Sequence, residues 1–351
     1  MTYSINGIQQ IGIGVTDASV SWDWYKKAFG MDVPIFKDRA AATLMTPYTG
    51  GKVEQRYAIL AMNLQGGGGF EVWQYTSREP QPAAFPIQLN DLGILAIKIR
   101  CRDIHQAKIH LEKLGATIIS LPSLSPSGAL HFYVRDPFFN LFELIENDSW
   151  FTQNKGITGG VCGAVIGCSS IEKSLSLYRD LLLHDQVKAD QTAHFEEFKH
   201  LPGGQGKFRR IILAKTSVPS GAFGRLLCQT EIELISNLES PGRKVFEHRF
   251  WGDLGFIHLC FDVNQMDGLK AKAKLMGFEF KVDSKDNFDM GKAAGRFAYL
   301  EDPDQTLVEL VETYKVPIFA PLGLYLNLKL RKKSTPLPNF LIKALALNRE
   351  K

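Results

Sequence analysis

Apolar runs recur along this chain at a regular interval, and each opens the same succession of patterns. Ile11-Gly12-Ile13-Gly14-Val15 alternates up to Asp17, then gives way to helically spaced apolar positions that carry Trp24-Tyr25 and end at Phe29-Gly30. That change of period predicts a strand followed by a helix. Shorter runs punctuated by Thr46-Pro47 and by Gly66 to Gly69 predict further strands, closing with Phe70-Glu71-Val72. The pattern returns 153 residues later as Ala164-Val165-Ile166-Gly167-Cys168-Ser169-Ser170, a helix carrying Leu177-Tyr178, and Ile232-Glu233-Leu234.

A second pattern repeats with an offset of 162. Asp91-Leu92-Gly93-Ile94-Leu95-Ala96 recurs as Asp253-Leu254-Gly255-Phe256-Ile257-His258. Each copy runs into an amphipathic helix that stops at Lys113-Leu114-Gly115 or at Leu275-Met276-Gly277. Each closes with a turn and a strand, Asp136-Pro137 before Leu141-Phe142-Glu143-Leu144 and Asp302-Pro303 before Leu307-Val308-Glu309-Leu310. The chain therefore reads as four copies of one βαβββ unit, near 5–78, 90–148, 158–238 and 252–314. The fold class is α+β. One unit exposes an apolar sheet face that it cannot bury alone, so adjacent units are expected to pair into two half-barrel domains. These are an N-terminal pair over 5–150 and a C-terminal pair over 157–315. Glycines from Gly291 to Gly295 predict one more turn. Residues 316–351 break the repeat with a basic extension containing Lys329, Arg331, Lys332, Lys333, Lys343, Arg349 and Lys351.

Composition narrows the function. Two domains suit 351 residues. A net charge of +4 is small for this length, and the aromatics do not alternate with a basic stripe, which argues against nucleic acid. Cys101, Cys162, Cys168, Cys228 and Cys260 are scattered without C-x-x-C spacing and read as buried thiols of a reducing compartment. The N-terminus lacks a basic region followed by an apolar one, and no apolar run is long enough to span a bilayer. A cytoplasmic protein handling a small molecule is expected.

The strand-to-helix pattern ending in Tyr25 or Tyr178, and the doubled Asp-Pro…Glu-Leu closure, resemble the vicinal oxygen chelate superfamily, which includes glyoxalase I, fosfomycin-resistance proteins and extradiol dioxygenases. The resemblance covers residues 5–315. It implies curved sheets whose hollows hold a metal between the first and last strands of two paired units. Carried over position by position, the last-strand glutamates are Glu71, Glu143, Glu233 and Glu309, and the first-strand positions are Gln10, Ala96, Gly163 and His258. With adjacent units paired, the C-terminal hollow offers Glu233, His258 and Glu309, and the N-terminal one Gln10, Glu71 and Glu143 as a possible second site. Each pair then lacks one of the family's four positions.

Two glutamates facing each other in one apolar hollow repel unless one protonates or a cation sits between them. An imidazole at His258 suits Fe, Mn, Ni, Co or Zn. Such an ion would stabilise an enolate or alkoxide, with a glutamate, Glu309 or Glu233, as general base. The expected function is a divalent-metal-dependent glyoxalase-like lyase or isomerase acting on a substrate with vicinal oxygens. An extradiol-type iron dioxygenase is one alternative, weakened by Gly163 where that reading needs a histidine. A non-catalytic drug-binding protein using Trp73, Phe132, Tyr133 and Trp251 is another. Each position also has a plainer reading: interior hydrogen-bonded carboxylates, a core histidine, Gln10 at the rim, packing tyrosines at 25 and 178. Gly66 to Gly69 reads as a flexible hairpin. His194, His200, Arg209 and Arg210, like Arg296 and Tyr299, read as a solvated basic face or as anion ligands. The tail reads as solvated or as clasping a second copy in a homodimer.

Overall fold

The computed structural model describes residues 2–153, 156–285, 288–289, 294–319, 322–329 and 331–350. The glycine turn expected at 291–295 lies outside them up to residue 293, as does Lys351. Unit 1 comprises β1 (Ser4–Gly14), α1 (Ala18–Phe29), β2 (Val33–Ala41), β3 (Gln55–Met62) and β4 (Gly69–Tyr75). Unit 2 comprises β5 (Gly93–Cys101), α2 (Ile104–Lys113), short β6 (Thr117–Ile118) and β7 (Ser123–Leu124), β8 (Leu130–Arg135) and β9 (Leu141–Glu146). Unit 3 has β10 (Thr158–Gly167), α3 (Ile171–Leu175) with a π-helical turn to Leu181, β11 (Gln186–Ala193), β12 (Phe208–Ala214), α4 (Gly224–Leu227) and β13 (Glu231–Asn237). Unit 4 has β14 (Gly255–Asn264), α5 (Met266–Leu275), short β15 (Val282–Asp283) and β16 (Phe288–Asp289), β17 (Ala294–Glu301) and β18 (Leu307–Phe319). The tail adds β19 (Leu324–Asn327) and α6 (Asn339–Ala344). The fourfold α+β repeat is thus as the sequence reads.

Local chemistry explains the boundaries. Asp17 and Asp103 cap α1 and α2, each accepting from two backbone N–H groups of the first turn at 2.9–3.0 Å. Gly30 ends α1 at φ +62°, a conformation that costs glycine nothing. In the closing turns, Asp136 Oδ1 accepts from the N–H groups of Phe138 and Asn140, and Asp302 Oδ1 from those of Asp304 and Thr306.

The pairing of units differs from expectation. One sheet runs β15-β17-β18-β14-β1-β4-β3-β2 and joins units 1 and 4; the other runs β11-β12-β13-β10-β5-β9-β8-β6 and joins units 2 and 3. First strands meet antiparallel at each junction, β1 with β14 and β5 with β10. Burial of an apolar face requires a cover but does not say which strand edges must join, because edge hydrogen bonds are made by backbone common to every sequence. Sequential units satisfy each other by another route. The main core lies between the two sheets, where Ile11 and Ile13 of β1 and Phe70 of β4 share one cluster with Ile97, Ile99 and Phe142 of unit 2 and the faces of the helices. Tyr25 of α1 donates to Asp136 Oδ2 in the closing turn of unit 2 at 2.7 Å, and Tyr178 donates to Asp302 Oδ2 of unit 4 at 3.1 Å. These tyrosines bind successive units together, which is more than packing.

Two further expectations change. Gly66 to Gly69 is a buried junction between the sheets: a Cβ on Gly67 would stand 2.6 Å from the Gly160 carbonyl carbon, and Gly68 N donates to Val161 O at 2.9 Å. The tail is docked on its own chain. Leu328, Leu337, Ile342 and Leu345 pack with Met62, Leu226 and Leu227, and Arg349 and Glu350 pair with Asp32 and Lys37. All five cysteines are buried free thiols, and no helix among the described residues is long and apolar enough to cross a membrane.

Candidate metal centre

Alternation on β1 sends Ile11 and Ile13 to the core and Gln10 and Gly12 to the hollow of the sheet of units 1 and 4. On β14 a register shift falls between the pairs Gly12↔His258 and Ile13↔Phe256, leaving Ile257 as the extra residue. This bulge, with Leu259 and Phe261 in the core, turns the His258 ring into the same hollow. Glu71 of β4 lies beside Gly12, and Glu309 of β18 beside Cys260. The four side chains come from the first and last strands of units 1 and 4.

Their polar atoms converge. Single ligand atoms of Glu71, His258 and Glu309 lie within 4.8 Å of one another. His258 Nε2 is 3.1 Å from Glu309 Oε2 and 3.5 Å from Glu71 Oε2. Gln10 Nε2 donates to both carboxylates at 3.3 Å. Two atoms of the group are buried without an aligned hydrogen-bond partner: Gln10 Oε1 and His258 Nε2. A buried acceptor left in this way is costly. Burial disfavours the imidazolium of His258, but the carboxylates of Glu309 and Glu71 outweigh it and hold the ring's pKa up at about 9. The ring's other nitrogen meets the Tyr299 hydroxyl at 3.2 Å. Gly12 makes room for it, since a Cβ there would stand 2.3 Å from His258 Cε1.

The expected sets were Glu233 with His258 and Glu309, and Gln10 with Glu71 and Glu143. Structure exchanges their members. Glu233 and Glu143 both lie in the other sheet, away from His258, because units 2 and 3 are the ones that pair there. The positions read as first-strand ligands in that sheet are Ala96 and Gly163, which offer no side-chain donor. Two residues beyond Ala96, on the same side of β5, Lys98 sends its ammonium into the hollow. It lies 2.7 Å from Glu233 Oε2, 2.6 Å from Glu231 Oε1 and 3.6 Å from Glu143 Oε2. Arg210 Nε donates to Glu233 Oε1 at 2.7 Å and NH1 to Glu197 at 2.5 Å, and His131 Nδ1 meets Glu143 Oε1 at 2.7 Å. Lys98, Glu143, Glu233, His131 and Arg210 are all fully buried. Burial works against the ammonium, yet the three carboxylates push the Lys98 pKa well up. Desolvation likewise works against the Glu233 carboxylate, but Arg210 and Lys98 bring its pKa down to about 2.

The remaining candidates separate cleanly. His194 and His200 are exposed, and Arg209 is paired with Asp190 and Glu172. Arg210 is spent on Glu233 and Glu197, and Arg296 on Asp283 and Asp267. Trp73 and Trp251 border the hollow of units 1 and 4, whereas Phe132 is in the main core and Tyr133 in the other hollow, so they form no common aromatic pocket. Lys98, which the sequence reading passes over, and the orienting Tyr299, which it takes for a solvated or anion-binding residue, are what it missed. A lysine and an arginine alternating with isoleucines in Ile97-Lys98-Ile99-Arg100 is a readable sign of cations inside a sheet.

A cavity of about 530 Å³ opens over the centre, bordered by Gln10, Glu71, Tyr299 and Glu309. A family model described as Glyoxalase/Bleomycin resistance protein/Dioxygenase superfamily matches residues 7–144. No curated protein matches the chain in sequence. Among solved structures, glyoxalase I from Zea mays is similar at 14% identity and a TM-score of 0.53, over 89% of this chain and 92% of that one. A mutant of the same maize enzyme is similar at 13% identity and a TM-score of 0.55, over 88% and 94%. A putative dioxygenase from Bacillus subtilis is similar at 14% identity and a TM-score of 0.56, over 88% and 86%. At such identities the likeness is one of fold.

Proposed function

From the family-model match over residues 7–144 and the likeness of fold, we propose that the whole chain is a member of the glyoxalase/bleomycin resistance protein/dioxygenase superfamily, that Gln10, Glu71, His258 and Glu309 hold one divalent metal ion, and that the protein is a metal-dependent lyase or isomerase of a small substrate with adjacent oxygens. The observation that carries this reading is the convergence of ligand atoms of Glu71, His258 and Glu309 within 4.8 Å of one another, beside the Gln10 amide, whose Oε1 is buried without a partner. An amide oxygen, one imidazole and two carboxylates suit Mn, Fe, Co, Ni or Zn. When bound, such an ion supplies a Lewis acid for two neighbouring substrate oxygens. Glu309, at the cavity wall, is the general base that moves the proton. Tyr299 fixes the His258 ring from behind. The redox-neutral reading is preferred to an iron dioxygenase because three of the four donors are oxygens and only one is an imidazole.

Elemental analysis of protein purified without chelator or histidine tag tests the proposal. One equivalent of a transition metal is expected, lost in Glu309→Gln and Glu71→Gln. Full metal content in both variants would refute it.

A further inference from the structure

The cavity above the centre has a composition of its own. Among the described residues that border it, the only charged groups are Asp38, Arg56, Glu71 and Glu309. Arg56 is already committed: NH2 donates to Asp38 Oδ2 and NH1 to Asp38 O, both at 3.2 Å. Once a dication neutralises Glu71 and Glu309, the described residues leave no net charge to attract a second ionic group of a ligand. The rest of the wall is chiefly apolar. Phe36, Leu60 and Met62 line it from β2 and β3, and Phe297 and Val311 from β17 and β18. Part of the wall is brought from outside units 1 and 4: Leu226 and Leu227 come from α4 of unit 3, and Leu345 comes from the docked tail. These segments thus add apolar surface to a site whose proposed metal donors, Gln10, Glu71 and Glu309, come from units 1 and 4.

Resting on the metal-centre reading above, we infer that the substrate is amphipathic: a vicinal-oxygen head at the Gln10–Glu71–Glu309 end and an uncharged aliphatic or aromatic tail along the wall of Leu226, Leu227 and Leu345. A volume of about 530 Å³ falls in the range of sites that enclose a whole small molecule. A substrate carrying a second carboxylate or ammonium on its tail would lose hydration in this wall and find no free counter-charge among the described residues.

Alkyl hydroxamates carry two adjacent oxygens and a tail of adjustable length, so they probe both ends separately. Isothermal titration of the full chain with the acetyl, butyryl, hexanoyl and octanoyl compounds is the experiment, run on metal-loaded and metal-free protein. Affinity should rise about fourfold per added methylene in either form. Octanohydroxamate bearing a terminal carboxylate should lose most of that gain. Leu44 borders the cavity and is 44% exposed, so Leu44→Glu is tolerable to the fold. It should weaken octanohydroxamate about tenfold and leave acetohydroxamate unchanged. A flat chain-length series, tighter binding of the carboxylate-bearing compound, or no binding of octanohydroxamate to either form would overturn the inference. The metal-centre reading fails independently, if bound metal strengthens none of these ligands while the chain-length slope persists.

Discussion

Replacing Lys98 by methionine removes one charge from the middle of the second hollow and keeps the length of the side chain. In the native protein its ammonium stands 2.6–2.7 Å from Glu231 and Glu233 and 3.6 Å from Glu143, and neither Glu143 nor Glu233 touches solvent. The variant leaves Arg210 and His131 to balance the buried carboxylates. Breaking a buried ion pair by deleting one partner costs about 3–5 kcal/mol, because the remaining charge keeps its desolvation penalty. A loss of that size is expected at pH 7, read as a lower urea midpoint at unchanged slope. It should depend on pH in a defined direction. The Glu233 pKa, about 2 in the fold against an ordinary 4.5, contributes stability that is present above pH 4.5 and lost as pH falls through about 2. Lys98 supplies part of that depression, so the gap between wild type and Lys98→Met should narrow as pH drops across this window. Metal content should not change, since the Gln10–His258 centre lies in the other sheet. A loss under about 1 kcal/mol, a gap indifferent to pH, or loss of the metal would refute the assignment of Lys98 as the internal counter-ion.

Glu233→Gln should retain full metal by elemental analysis while lowering the urea midpoint, the reverse of Glu309→Gln, which is expected to empty the proposed centre. Gly12→Ala should weaken metal binding at least tenfold in a competition with a chromophoric chelator, because the added Cβ would occupy space 2.3 Å from the His258 ring. Tyr299→Phe should leave stoichiometry intact and raise the dissociation constant about 10- to 100-fold in the same assay, the effect of losing an outer partner of a metal-ligating histidine.

The repeat was legible because each signal is local. Asp17 and Asp103 cap helices within a turn of themselves, and Asp136 and Asp302 close turns four residues long. The four donor positions were legible for the same reason: Gln10, Glu71, His258 and Glu309 each sit at a fixed place in their own unit. Their grouping was not. Which first strand lies beside which is decided by edge pairing and by contacts such as Tyr25 with Asp136, at separations of a hundred residues or more. A wrong partner for unit 1 therefore leaves every position correct and places Glu233 and Glu143 in sets to which they do not belong.

One observation in the sequence could have decided the pairing. Under adjacent pairing each hollow has three donors and one gap, and Lys98 would enter the hollow of Gln10, Glu71 and Glu143. Under the alternative, all four donors collect in one hollow, and both donor-free positions, Ala96 and Gly163, collect in the other together with the lysine. The second arrangement leaves neither hollow half-furnished. The glycine at 163 fits this account physically: a Cβ there would lie 2.6 Å from the Glu231 carbonyl oxygen and 3.1 Å from Lys98 Cδ, so the bare position admits both the neighbouring strand and the lysine stem. An ammonium between carboxylates supplies the charge that the proposed metal ion would supply in the first hollow, without open positions for a ligand. Two sheets of common design would thus solve the same electrostatic conflict in two ways, and only the proposed solution with an exchangeable ion leaves a site at which chemistry can occur.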